Sequence, residues 1–205
     1  MKIITIVGAR PQIIKAAAFS RVLKENFPEI EEIIVHTGQH YDTNMSQVFF
    51  EELNIPQPTI NLQVGSSSHG EQTAVMIQKI ETVLLEHQPN AVVVYGDTNS
   101  TLATAVAASK IHVPIVHIEA GLRTFNKYSP YPEEMNRSIT GRIADYHFSP
   151  TLESKQNLVK ENIDEKSILV TGNTVIDALL FAVNELKTYE NNEIKNLKSL
   201  LVKGK

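Results

Sequence analysis

"AVVVYGDTNSTLATAVAASK", residues 91–110, holds a complete strand-turn-helix unit. Its first five residues are all apolar, so this strand has no face suited to water and needs cover on both sides. Gly96 permits a tight turn, and Asp97 and Thr98 are favoured residue types at a helix start. The segment 99–110 then reads as an alanine-rich helix that can lie close to a sheet. A doubly covered strand running straight into a helix is the repeating unit of a parallel α/β sheet.

The same alternation extends in both directions. Strands are expected at 2–7 (KIITIV), 31–36 (EEIIVH), 59–64 (TINLQV), 114–118 (PIVHI), 145–149 (DYHFS) and 167–171 (SILVT). Helices are expected at 11–25, 42–53, 70–87, 133–143, 151–161 and 174–187. Right-handed crossovers then give a doubly wound, Rossmann-like parallel sheet. In such sheets the first and fourth strands are neighbours, and ligands bind beyond the carboxyl ends of the strands where the winding reverses. The loops to read for chemistry are therefore "GARPQIIK", "GDTNST" and "EAGLRT".

Composition narrows the function classes. The chain has 205 residues, 42% apolar and 20% charged, as a water-soluble domain requires. A net charge of −4 gives no basic surface for nucleic acid. Without cysteine there is neither a disulfide framework nor a thiolate metal site. The opening "MKIITIVGARP" is too short an apolar run for a signal peptide or a membrane span and is broken by Gly8 and Arg10. The expectation is a cytoplasmic protein without membrane attachment.

Each loop admits a structural and a functional reading. "GARPQIIK" lacks the G-x-G-x-x-G spacing of nicotinamide sites. Pro11 suits a first helical turn, which puts Arg10 at a helix entrance that favours anions, with Lys15 about a turn deeper. The two are either surface charges or a cationic pair for a phosphate or sugar hydroxyl. Asp97 is either a helix cap or a substrate group beside Arg10. Glu119, leaving an apolar strand before Gly121, either pairs with Arg123 or faces a ligand. His117 and Glu119 have the H-x-E spacing of zinc deaminases, but the cysteine half of that motif is absent.

The longer passage "VHIEAGLRTFNKYSPYPEEMNRS" (116–138) ends in Glu133 and Glu134, acids placed where a helix dipole favours them. Glu133 either pairs with Arg137 four residues on or is carried over a ligand by the proline-containing loop. Gln39 and His40, after the second strand, lack metal-ligand spacing and read as supporting polar residues. His69 opens a helix after a Ser/Gly loop. No Walker lysine loop, serine-hydrolase elbow or metal cluster is legible.

Five stretches, "GARPQIIKAA", "TGQHYDTNMS", "YGDTNSTLA", "HIEAGLRTFNKYSPYPEEMNR" and "TGNTVIDAL", together resemble the non-hydrolysing UDP-N-acetylglucosamine 2-epimerases over essentially the whole chain. The resemblance implies one half of a glycosyltransferase-B-like two-domain fold that closes on a UDP-sugar and inverts C2. It assigns substrate or catalytic positions to Arg10, Lys15, Asp97, Glu119 and Glu133. Arg137 joins them as a substrate-binding candidate. Gln39 and Glu134 match residues lining an allosteric UDP-sugar site in some bacterial members, while Tyr41 and Asp42 depart from that patch. "GARPQ" with "TGQHYDTNMS" looks more like a subgroup that includes epimerases of acetamido-sugar uronic acids.

The family's route eliminates UDP to leave a 2-acetamidoglucal and then adds UDP back, a scheme that needs no metal or cofactor. Its second domain carries an "HRREN"-type histidine and most uridine and diphosphate contacts. On this resemblance residues 1–172 form the catalytic domain, and 173–205 form a helix and linker towards a missing second domain. The chain alone is expected to be inactive, and to form a homo-oligomer or pair with that domain; the competing reading is a non-catalytic binding or interaction module left by loss of that domain.

Overall fold

The computed structural model describes residues 1–38 and 57–188. Among these residues seven parallel strands form one sheet: β1 (Lys2–Val7), β2 (Glu31–His36), β3 (Ile60–Asn61), β4 (Ala91–Tyr95), β5 (Ile115–Ile118), β6 (Tyr146–Ser149) and β7 (Ile168–Val170). Their spatial order is β3-β2-β1-β4-β5-β6-β7. The described helices are α1 (Arg10–Asn26), α2 (His69–His87), α3 (Asn99–Lys110), α4 (Glu133–Ile143), α5 (Leu152–Lys160) and α6 (Thr174–Thr188), with a short 3₁₀ turn at Glu165–Ser167. The doubly wound reading of the sequence holds, and β1 lies beside β4, in register from Ile3 opposite Ala91. The helix expected at 42–53 lies outside the described residues.

Strand alternation explains the two larger core clusters, one on each face of the sheet. Ile4, Ile6, Val92 and Val94 face one way and pack with Met76, Ile80 and Leu84 of α2 and the alanines of α3. Ile3, Val7, Val93 and Tyr95 face the other way, against Ile13, Ala16, Ala17 and Leu23 of α1. Both faces are covered, so both sets are apolar. Ala103, Ala105, Ala107 and Ala108 have no exposed surface, as the close approach of α3 to the sheet requires.

One strand departs from expectation. Residues 59–64 supply only a two-residue strand, Ile60–Asn61. Gln63 turns into the left-handed region at φ 50° and interrupts the extended run. The backbone still follows the sheet edge, with Leu62 N–H donating to the His36 carbonyl at 2.8 Å and Val64 N–H to that of Thr37 at 3.0 Å.

At the far end of the chain α6 packs against α1, and the Arg21 guanidinium sits 3.4 Å above the Phe181 ring. Ala178 is buried there, while Ile176, Leu179 and Leu180 are exposed. Among the described residues no helix is long and apolar enough to cross a membrane.

Candidate active site at the sheet reversal

The turn from β1 into α1 and the turn from β4 into α3 meet where the winding reverses. Gln12 joins them. Its Oε1 accepts from Gly8 N–H at 2.9 Å and Ala9 N–H at 3.2 Å, and its Nε2 donates to the Tyr95 carbonyl and to Thr101 Oγ1, both at 2.9 Å. The side chain is 1% exposed. A glutamine at the third position of a helix is a capping signal, but sequence spacing alone does not reveal that it also spans to β4. Gly8 is required by contact, because a Cβ there would stand 2.1 Å from Ser100 Oγ and 2.3 Å from Thr37 Oγ1.

Thr98, not Asp97, caps α3: its hydroxyl accepts from Thr101 N–H at 3.3 Å. The capping alternative for Asp97 is thereby overturned, and its carboxylate is bonded instead by the Arg137 guanidinium of α4. Arg137 also lies 3.3 Å from Glu134. The alternative pairing of Glu133 with Arg137 fails for the same reason, since Arg137 is turned to Asp97 and Glu134. Glu134 is 2% exposed, and its Oε1 accepts from the backbone N–H groups of Thr124 and Phe125 at 3.0 and 2.9 Å. It holds the loop that leads into α4.

Glu119 has φ 65°, an unfavourable backbone conformation for a side-chain-bearing residue. Such outliers concentrate where surrounding structure enforces them for function. Its carboxylate is bonded by Lys15 of α1, and both side chains are nearly buried. The alternative partner, Arg123, instead makes a two-point pair with Glu161 at 2.7 Å for each contact. The left-handed turns at Glu119 and Gly121 reverse the chain, so Arg123 leaves towards the end of α5. Beneath Glu119, His117 Nε2 donates to the Gly96 carbonyl at 2.8 Å. Burial pushes the His117 pKa down from 6.5 to about 3, so the ring is neutral and serves as a fixed donor for the β4 turn.

These elements enclose a cleft of about 580 Å³. Arg10, Lys15, Asp97 and Glu133, from three separate chain segments, all line it. Glu119 joins them through its bond to Lys15, and Arg137 through its bond to Asp97. Arg10, His69, Asn99 and Glu133 on the cleft wall are the first residues of α1, α2, α3 and α4 respectively. The N-terminal ends of four helices therefore border one volume, and free backbone N–H groups at such ends favour an anion.

Sequence spacing does not mark His69, Asn99 or Asn136 as site residues, yet His69 and Asn99 line the cleft and Asn136 donates to Asn99 Oδ1 at 3.1 Å. Gln39 and His40 lie outside the described residues. Among the described residues no three His, Asp or Glu side chains are grouped as metal ligands.

Residues 23–203 match the family model described as UDP-N-acetylglucosamine 2-epimerase. The chain is 49% identical over its whole length to a UDP-N-acetylglucosamine 2-epimerase homolog of Methanococcus maripaludis, covering 55% of that protein. It is 51% identical over 183 residues to the UDP-2,3-diacetamido-2,3-dideoxy-D-glucuronate 2-epimerase of Pseudomonas aeruginosa, covering 51% of it. The crystal structure of Methanocaldococcus jannaschii UDP-GlcNAc 2-epimerase in complex with UDP-GlcNAc and UDP superposes with a TM-score of 0.89 at 46% identity, over 96% of this chain and 53% of that one. The chain thus spans about half the length of the curated relatives it matches. With this agreement of sequence and fold, the chain belongs to the UDP-N-acetylglucosamine 2-epimerase family.

Proposed function

We propose that the cleft binds the sugar and diphosphate of a UDP-N-acetylhexosamine, and that the protein inverts C2 by eliminating UDP and adding it back. The observation that carries this reading is the convergence of Arg10, Lys15, Asp97 and Glu133 on one cleft, with Glu119 bonded to Lys15. The N-terminus of α1 with the cations Arg10 and Lys15 suits the diphosphate, and three carboxyl groups suit the sugar.

In elimination a carboxylate takes the C2 proton, C1=C2 forms, and the C1–O bond breaks with its electron pair leaving on UDP. In return, UDP oxygen bonds to C1 while a carboxylic acid protonates C2 from the opposite face. Each proton transfer is worth about 10²–10⁴ in rate. Cations by the diphosphate offset charge developing on the leaving group. We assign the acid and base work to Asp97, Glu119 and Glu133, and diphosphate or hydroxyl contacts to Arg10, Lys15 and Arg137. Residues 1–172 act as the catalytic domain, and 173–205 as its connection to a second domain that closes the cleft against water.

Identity to the Pseudomonas protein favours a second substrate reading, a UDP-diacetamido uronic acid. Incubating the full-length protein with UDP-N-acetylglucosamine and, separately, with the diacetamido uronate distinguishes the two. We expect conversion of UDP-N-acetylglucosamine to its manno epimer, seen as a new anomeric proton signal. Conversion of the uronate alone would move the assignment to the second substrate, and turnover of neither would contradict both.

A further inference from the structure

His69 lines the cleft, and its ring meets that of Tyr131 edge to face, with centroids 5.9 Å apart and planes at 80°. Its protonation pattern is set by a chain of amides whose orientations are all determined. Gln72 Nε2 donates to the Gly65 carbonyl at 2.9 Å, so Gln72 Oε1 faces Asn99. Asn136 Nδ2 donates to the Asp97 carbonyl at 2.9 Å and to Asn99 Oδ1 at 3.1 Å. Asn99 Nδ2 therefore turns its hydrogens to Gln72 Oε1 at 3.1 Å and His69 Nδ1 at 2.9 Å. An amide nitrogen offers hydrogens only, so Nδ1 must accept and the ring proton sits on Nε2. Gln72, Asn99 and Asn136 are all at most 7% exposed, so this arrangement is enclosed.

We infer that His69 is a specificity-determining residue of the cleft, donating its Nε2–H to an oxygen acceptor on the sugar, with Asn99 as the positioning residue that fixes this tautomer. The inference rests on the nucleotide-sugar reading above. The sugar rather than the diphosphate is the partner, because His69, with Nδ1 committed as an acceptor from Asn99, offers a single N–H donor, whereas the cations Arg10 and Lys15 of α1 suit the diphosphate. A hydrogen bond made alike in ground and transition states contributes to binding and not to the chemical step.

The test uses the full-length protein and three readouts. His69→Phe keeps the ring and removes the donor. Its KM for the UDP-sugar is expected to rise roughly three- to tenfold with kcat unchanged, and the inhibition constant of UDP alone to stay at the wild-type value. Nitrogen-15 NMR of the imidazole should show wild-type Nδ1 unprotonated, and Asn99→Asp should move the proton to Nδ1 and reproduce the KM effect. An unchanged KM in His69→Phe, an equal weakening of UDP alone, or a protonated Nδ1 in the wild type each overturns the inference. Wild-type turnover reports on the epimerase reading separately, and the NMR readout stands without it.

Discussion

His117 shows how burial can dominate a residue's behaviour. It has no exposed surface, and burial holds its pKa at about 3 against an ordinary 6.5. Between those values the unfolded chain binds a proton that the folded chain refuses, so stability is full above pH 6.5 and declines as pH falls towards 3. The slope from this group is about 1.4 kcal/mol per pH unit. Burial lowers the pKa values of His36 and His147 in the same direction. Urea unfolding midpoints are expected to drop from pH 7 to pH 5, and His117→Gln, which keeps a donor for the Gly96 carbonyl, should flatten that dependence. Equal dependence in the variant would assign the acid sensitivity elsewhere.

At the level of strands, helices and turns, local pattern and long-range contact divide what sequence can tell. β1, β4 and β5 are legible because an apolar run without alternation has one physical explanation, cover on both faces. The residue types of the site loops are legible as well, since loops at a sheet reversal must carry the chemistry. Partners are not. Arg123 and Glu161 stand 38 positions apart, and Asp97 and Arg137 are 40 apart, so their pairing depends on how the helices dock. The short β3 fails as a reading for a nearer reason, the left-handed turn at Gln63, where the residue type gives no signal.

Docking also fixes one turn sharply. Gly121 has φ 87°, and a Cβ there would stand 2.2 Å from the backbone carbonyl oxygen of Ser154 in α5. Gly121→Ala should cost more than about 3 kcal/mol, since backbone on both sides must shift. Gly172 has φ 82° with nothing within 4 Å, so Gly172→Ala should lose only the left-handed penalty of about 1–2 kcal/mol. Urea titration of the two variants checks the contrast, and equal losses would show that α5 does not confine the β5 loop.

Across the whole molecule, the decisive fact is strand order. Arg10, Lys15, Asp97 and Glu133 line one cleft because β1 lies beside β4, and the helices that follow β1, β3, β4 and β5 begin on the same rim. That convergence was the expectation from alternating strands and helices, while the amide chain through Gln72, Asn99 and Asn136 emerges only when three helices are in place. The exposed Ile176, Leu179 and Leu180 on α6 mark a second feature no single element predicts, because a helix's apolar face is judged covered or bare only after packing.

In the proposed reaction, carboxyl groups of this cleft move the proton on C2 of a bound sugar. The most direct test is solvent exchange: full-length protein with UDP-N-acetylglucosamine in deuterium oxide, C2–H loss followed by proton NMR, for wild type and for Asp97→Asn, Glu119→Gln and Glu133→Gln. Deuterium should enter C2 in the wild type, and each amide variant should lose at least about 100-fold in rate while its circular dichroism stays unchanged. Retention of the C2 proton by the wild type, or wild-type exchange in all three folded variants, would contradict the account.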